Sequence, residues 1–194
     1  MVSRLLSNKK KIAVFVVILF MAMYLIRSLF SAREINQVNI MILDQNVSAQ
    51  EIENWQQDLS EKIPLKKLHE VIGIHSYSEE DENSMQAFSV HLISDDVDII
   101  IAPKDIILQL MENNYLVCYG TDSATDFYAD FAKEQKLYKG TDVYAIQMGE
   151  NSRYLRITKN KEKEMYLAVT VKKKNDENLK TAAEYFLEES DIGE

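Results

Sequence analysis

An unbroken apolar run, IAVFVVILFMAMYLI at residues 12–26, dominates the hydrophobic pattern of the chain. Fifteen residues at about 1.5 Å rise cover roughly 22 Å, so a helix that crosses the ~30 Å hydrocarbon core would continue to about residue 32. Basic residues precede the run without an acidic one, which is typical of a cytoplasmic flank. The pattern predicts a cytoplasmic basic tail at residues 1–11, a single transmembrane helix at 12–32 and an extracytoplasmic domain at 33–194.

A cleaved signal peptide is the alternative, because it also has a basic start and an apolar centre. Cleavage after Ala32 would place Phe30 at the third position back, and cleavage after Ser31 would place Leu29 there. Small residues are required at that position. The sequence therefore favours an uncleaved anchor and a cell-membrane location.

Three apolar, β-branched segments alternate with amphipathic ones in the first half of the domain. The segments at residues 38–43, 70–77 and 97–102 predict buried strands. Strands that alternate with helices call for a parallel sheet with right-handed crossovers. The predicted helical stripes are Ile52, Trp55, Leu59 and Ile63; Met85, Phe88, Val90 and Leu92; and Ile106, Ile107, Leu110 and Met111.

Local signals mark the ends of these helices. Ser48 with Glu51 three residues later forms a capping box, and Pro64 stops the first stripe. Pro103 suits the first position of the third helix, and Asn113 with Asn114 predicts its end.

The second half of the domain changes pattern and predicts more strands than helices. A polar turn at residues 159–163 is expected to join two of these strands. The fold predicted for the whole domain is a three-layer α/β lobe with a mixed, mainly parallel sheet. The further predicted strands are 116–119, 142–148, 153–158 and 164–171, and the further predicted helices are 121–136 and 176–188.

Charge limits the partners of the domain. After residue 34 there are 16 basic and 30 acidic residues, a net charge of −14. Such a surface repels phosphates, so we expect no nucleic-acid partner and membrane contact only through residues 12–32. Cys118 is the only cysteine, which excludes an intramolecular disulfide and suits a bacterial cell envelope. We expect its side chain to be buried as a small hydrophobe.

No motif in the sequence indicates a reaction, a cofactor or a metal. The dinucleotide fingerprint, the P-loop, the nucleophile elbow and the HExxH pair are all absent. The three histidines, His69, His75 and His91, lack zinc-ligand spacing. The acidic groups at residues 79–82 and 95–98 lack EF-hand spacing and are expected to be helix starts and solvated faces. We therefore expect no catalysis and no cofactor.

Polar side chains follow the three strands of the predicted parallel sheet. In an open parallel sheet the ligand crevice lies beyond the carboxyl ends of the strands. Ordinary turns contain the same residue types, so a turn role is the alternative. The candidate ligand-binding residues are Asp44, Asn46, Ser76, Tyr77, Pro103 and Lys104.

Two segments carry a family resemblance. Residues 94–119, SDDVDIIIAPKDIILQLMENNYLVCY, and residues 164–189, EMYLAVTVKKKNDENLKTAAEYFLEE, resemble strand–helix segments of bacterial extracellular solute-binding proteins of the periplasmic binding protein type 2 kind. Members of that family close two lobes on a solute. Here the segment between residues 119 and 142 is too short for a second lobe, so the resemblance implies a single truncated lobe with a membrane anchor.

The resulting hypothesis is a membrane-anchored, extracytoplasmic, single-lobe module for recognition or protein interaction. Its partner could be a membrane transporter, a second protein or a second copy of the chain. The alternative is a small-molecule solute-binding component of a transport or sensing system whose second wall comes from a partner. A hydrolase is third, because no nucleophile, base or metal set can be named.

Overall fold

A computed structural model of the protein describes residues 35–44, 47–65, 70–94, 96–120, 127–131, 136–158, 163–170 and 177–188. The predicted tail at residues 1–11, the predicted anchor at 12–32 and the candidate site residue Asn46 lie outside these ranges. Among the described residues, no helix combines the length and apolarity that a membrane crossing requires.

The described residues form one seven-stranded sheet with helices on both faces. The strand order is β2-β1-β3-β7-β6-β4, and β5 pairs with β6 beside this path. The strands are β1 (Ile35–Leu43), β2 (Glu70–Tyr77), β3 (Ile99–Pro103), β4 (Tyr119–Gly120), β5 (Lys136–Lys139), β6 (Asp142–Gln147) and β7 (Met165–Val169). The helices are α1 (Ala49–Lys62), α2 (Glu82–Ser94), α3 (Lys104–Glu112), α4 (Arg153–Thr158) and α5 (Glu177–Leu187), with a short 3₁₀ helix at Phe127–Phe131.

Strands β1, β2 and β3 form the parallel half of the sheet. Strand β1 pairs in parallel with β3, with Ile40 opposite Ile99. The Ser76 hydroxyl donates to the Asp44 carbonyl at 3.1 Å, so the carboxyl ends of β1 and β2 also lie side by side. The order 2-1-3 is that of a doubly wound sheet, and it confirms the predicted strand–helix alternation.

The second half of the sheet is antiparallel, and here the prediction of a mainly parallel sheet is wrong. Strand β7 lies between β3 and β6 and runs antiparallel to both, and β4 and β5 run antiparallel to β6. Antiparallel neighbours can be joined by short connections, whereas a parallel crossover needs a covering helix. The β5–β6 hairpin turns at Gly140, whose φ of +65° suits the first position of a two-residue loop.

One predicted strand of this half is also wrong, and one predicted helix is described only in part. Residues 153–158 form helix α4 instead of a strand. Buried Tyr154 and Thr158 are four residues apart, a spacing that serves one face of a helix, and the backbone N–H of Arg153 donates to Glu188 O at 2.9 Å. Of the helix predicted at 121–136, the described part contains only a 3₁₀ turn, and Lys136 begins strand β5.

Two side chains predicted to be buried are exposed. Cys118 lies on the surface. Val90 points outward from α2 and is 60% exposed, while Phe88 and Leu92 fill the inner side of that helix. Only one strip of α2 faces the sheet, and Phe88 and Leu92 occupy it. The Val90 side chain therefore lies outside that strip.

Two apolar layers hold the sheet between the helices. One face of the sheet packs on α1, α4 and α5, with Trp55 against Phe186 at 5.4 Å and against Tyr154 at 5.9 Å between ring centroids. The other face packs on α2 and α3 through residues such as Phe88 and Ile107. The predicted three-layer arrangement is therefore present in the described residues.

Candidate functional site

The candidate site lies at the carboxyl ends of β1, β2 and β3. The chain leaves β1 toward α1 on one face of the sheet, and it leaves β3 toward α3 on the other face. Neighbouring strands whose connections part in this way form a topological switch point, where open α/β sheets bind ligands. The carboxyl ends of β1 and β3 are therefore a candidate ligand site.

Asp44 directly follows β1 at this edge of the sheet. Its side chain is buried, and its Oδ2 accepts a hydrogen bond from the Tyr154 hydroxyl at 2.7 Å. Burial raises the pKa of Tyr154, and the adjacent Asp44 carboxylate raises it further, so the phenol stays protonated as a donor. The Asp44 side chain therefore already accepts a hydrogen bond from inside the domain.

Strand β7 brings new side chains to the same edge. Because β7 is antiparallel to β3, its amino end meets the carboxyl end of β3. There Lys104 Nζ lies 2.9 Å from Glu164 Oε2, and the Lys104 N–H donates to Glu164 O at 3.1 Å. The side-chain hydrogen bond raises the pKa of Lys104 and lowers the pKa of Glu164.

A second ion pair crosses the crevice. Lys163 Nζ, just before β7, lies 2.9 Å from Glu79 Oε2, just after β2. In the sheet order, β1 and β3 lie between these two strands, so the pair bridges the carboxyl edge. The hydrogen bond to Glu79 raises the pKa of Lys163, and the charges of Asp105 and Asp44 act in the same direction. Pairs exposed to solvent contribute about 0–1 kcal/mol, so this bridge can open at small cost.

Beside the bridge is a groove of about 350 Å³. This volume is near the lower end of the roughly 300–1,000 Å³ of small-molecule pockets, but the groove is largely open to solvent. Its lining combines the apolar residues Pro103 and Leu108 with charged residues of both signs. The lining residues are Pro103, Lys104, Asp105, Leu108, Lys163 and Glu164.

The structure brings together only part of the predicted site. Asp44 and Ser76 are in contact, and Pro103 and Lys104 line the groove. Tyr77 instead packs under α2, with its ring 5.7 Å from that of Phe88. The contributions of Tyr154, Lys163 and Glu164 were missed, since nothing local in the sequence shows that α4 and the amino end of β7 return to this edge.

The described residues contain no group of three or more His, Cys, Asp or Glu side chains that could hold a metal ion. Two of the three histidines do meet: the rings of His75 on β2 and His91 on α2 stack with centroids 5.5 Å apart. Asp96 Oδ1 lies 3.5 Å from His91 Nδ1, and the centroid of the Tyr77 ring lies 6.2 Å from that of His91.

This histidine pair predicts an acid sensitivity of the fold. Burial lowers the pKa of His75, the nearby His91 lowers it further, and Asp96 opposes both. The unfolded chain therefore binds the proton more readily than the folded one, and the free energy of unfolding falls as the pH drops below about 6.5 toward the depressed folded pKa. We expect a lower urea midpoint at pH 5.5 than at pH 7.5, and a smaller difference in His75→Gln. An unchanged pH difference in that variant would contradict this role.

Neither a family model, nor a curated protein, nor a solved structure matches this chain. The geometry of the site is therefore the basis for an assignment of function.

Proposed function

We propose that this chain is a membrane-anchored, extracytoplasmic recognition module, similar to one lobe of a solute-binding protein, whose groove at the carboxyl edge contacts a protein partner. The observation that carries the proposal is the open groove beside the Lys163–Glu79 bridge. The apolar run at residues 12–26 with its basic flank supports the anchor and its direction.

The openness of the groove favours a macromolecular partner. Good pockets bury 70–90% or more of a small ligand, which needs walls on opposite sides. Here the described residues leave the groove largely open to solvent, so a protein surface that covers the opening would complete the enclosure.

The charged residues of the groove provide a way to select the protein partner. Lys104 and Lys163 each pair with a glutamate across a solvent-exposed contact, so a partner carboxylate can compete for either cation at small cost. Complementary charges at an interface rim set partner choice and association rate more than affinity. An acidic chain with two lysines at its groove therefore favours a partner that presents carboxylates there.

Site-specific photocrosslinking of the full-length chain in its own cells tests the proposal. A photoreactive side chain at Asp105, on the groove, should give one defined protein adduct, and the same group at Gln57, on the exposed side of α1, should not. Reversal of both rim cations, Lys104→Glu with Lys163→Glu, should reduce the Asp105 adduct at least about tenfold, the equivalent of 1.4 kcal/mol. Equal adducts at both positions, or an adduct insensitive to the reversal, would overturn the proposal.

The orientation of the chain has its own test. Protease added to intact cells should digest the domain after residue 33 of the full-length protein, and lysis should be required to reach a tag on the amino terminus. A domain that resists protease until the cells are lysed would overturn the extracytoplasmic assignment, whatever the crosslinking shows.

Solute binding with a wall supplied by a partner is the second candidate, and the groove volume within the range of ligand pockets favours it. Sugars, amino acids and peptides added to the crosslinked complex should then raise its melting temperature while leaving the chain alone unchanged. A shift in the free chain would instead indicate that one lobe suffices for binding.

A further inference from the structure

The two lysines of the groove are held by unequal sets of contacts. Lys104 Nζ lies 2.9 Å from Glu164 Oε2 and 5.9 Å from the centroid of the Tyr166 ring, and the Lys104 backbone N–H donates to Glu164 O at 3.1 Å. The Tyr166 hydroxyl donates to the same carboxylate oxygen at 3.4 Å. Loss of one of these contacts would leave the others in place, so Lys104 is fixed at the amino end of β7.

Lys163 has a simpler set of contacts. Among the described residues, the one side chain within hydrogen-bond distance of Lys163 Nζ is Glu79, with 2.9 Å between Nζ and Oε2. Glu79 lies in the connection between β2 and α2, and Lys163 lies just before β7, so neither residue is part of a helix or a strand. Half of the Lys163 side chain is exposed. The ammonium can therefore exchange Glu79 for another carboxylate without breaking a second contact.

The charges around Lys163 favour exchange over addition. The carboxylates of Asp105 and Asp44 act with Glu79 to raise the pKa of Lys163, so three negative charges already surround one positive charge. A further carboxylate at this place would be repelled by all three. Displacement of Glu79 into solvent, where salt screens a charge beyond about 8–10 Å, removes much of that repulsion.

We propose that Glu79 is a built-in competitor of the protein partner: it occupies Lys163 in the free chain and gives way to a partner carboxylate, so that Lys163 selects the partner while Lys104 serves the fold. This inference rests on the proposed function, because it requires a partner at the groove. The competition is mild, since a solvent-exposed ion pair changes an equilibrium by no more than about fivefold. A partner surface without a carboxylate would leave the Lys163–Glu79 bridge closed.

Removal of the competitor should increase binding. The assay is photocrosslinking from residue 105 of the full-length chain in its own cells, at short irradiation times where the yield follows the bound fraction. Glu79→Gln should raise the adduct about two- to fivefold, because glutamine keeps the size of the side chain without its charge. The matched control Glu80→Gln removes the same charge from the next residue, which is exposed, and should leave the adduct unchanged. Equal increases in both variants would overturn the competitor role.

Neutral variants of the two lysines test which cation selects the partner. Lys163→Gln should lower the adduct at least threefold, and Lys104→Gln should lower it less than twofold. Adding Glu79→Gln to Lys163→Gln should then have no effect, because the glutamate has lost the cation for which it competes. A larger loss from Lys104→Gln than from Lys163→Gln, or an increase from Glu79→Gln that persists without Lys163, would overturn the inference.

The same assay separates this inference from the proposed function. The absence of any adduct at residue 105 in the otherwise unchanged chain would overturn both, since no partner would then contact the groove. A defined adduct whose yield is the same with Glu79 and with Glu79→Gln would overturn only the competitor role and would leave the recognition module intact.

Discussion

Replacing Trp55 with alanine is expected to lower the free energy of unfolding by about 3–5 kcal/mol. The indole is 1% exposed, and it contacts the rings of Phe186 and Tyr154, at 5.4 and 5.9 Å between centroids. These rings come from α1, α4 and α5, so the indole ties three helices to one face of the sheet. A small domain is stable by only about 5–15 kcal/mol, and the loss would leave a measurable unfolded population.

The measurement for Trp55 is urea unfolding of the full-length protein followed by circular dichroism, since the substitution removes the only tryptophan. The matched control is Tyr138→Ala, which removes an aromatic ring that is 53% exposed and should change the free energy by no more than about 0.5 kcal/mol. Equal losses of stability in the two variants would contradict the expected contribution of the buried Trp55 ring.

The Tyr154→Phe variant is expected to lose about 1–3 kcal/mol of unfolding free energy. Phenylalanine keeps the ring and its packing, and the change deletes only the hydroxyl that donates to Asp44 Oδ2 at 2.7 Å. Both side chains are buried, so water cannot readily replace the lost donor. The expected loss therefore measures the polar contact beneath the crevice and not the volume of the side chain.

A double-mutant cycle separates this contact from other effects of the substitution. With Asp44→Asn as the second change, the loss from Tyr154→Phe should shrink, because the partner carboxylate is gone. Tyr138→Phe, which deletes an exposed hydroxyl, is the control and should be neutral. Additive losses in the cycle would show that the two groups do not stabilise one another.

The parallel half of the fold was predictable because its signals are local. The capping box is present, with Glu51 N–H donating to Ser48 Oγ at 3.2 Å and Ser48 N–H donating to Glu51 Oε2 at 2.7 Å. The stripe of α1 and the buried runs of β1 and β3 repeat with the periods of a helix and a strand, which any stretch of sequence displays by itself. The closing helix α5 follows the same logic.

Sequence patterns predict where strands end, and they predicted the candidate site only to that extent. A parallel sheet brings the carboxyl ends of its strands together, which correctly joined Asp44 with Ser76. The predictions of Tyr77 and Lys104 rested on the same rule, but the first packs under α2 while the second lines the groove. Which side of the strand a terminal residue faces depends on the helix that covers it, and this is a tertiary property.

Local and additive signals predicted the helices and strands of the first half, their parallel direction and the acidity of the domain, because periodicity, capping and charge do not depend on distant segments. The sequence also predicts an anchor at residues 12–32, which lies outside the described residues. Tertiary packing places β7 between β3 and β6, makes residues 153–158 helical and brings Lys163 to Glu79 at the carboxyl edge. These features depend on pairing between segments far apart in the chain, and the competition among such pairings is settled by packing and not by the pattern of any one segment.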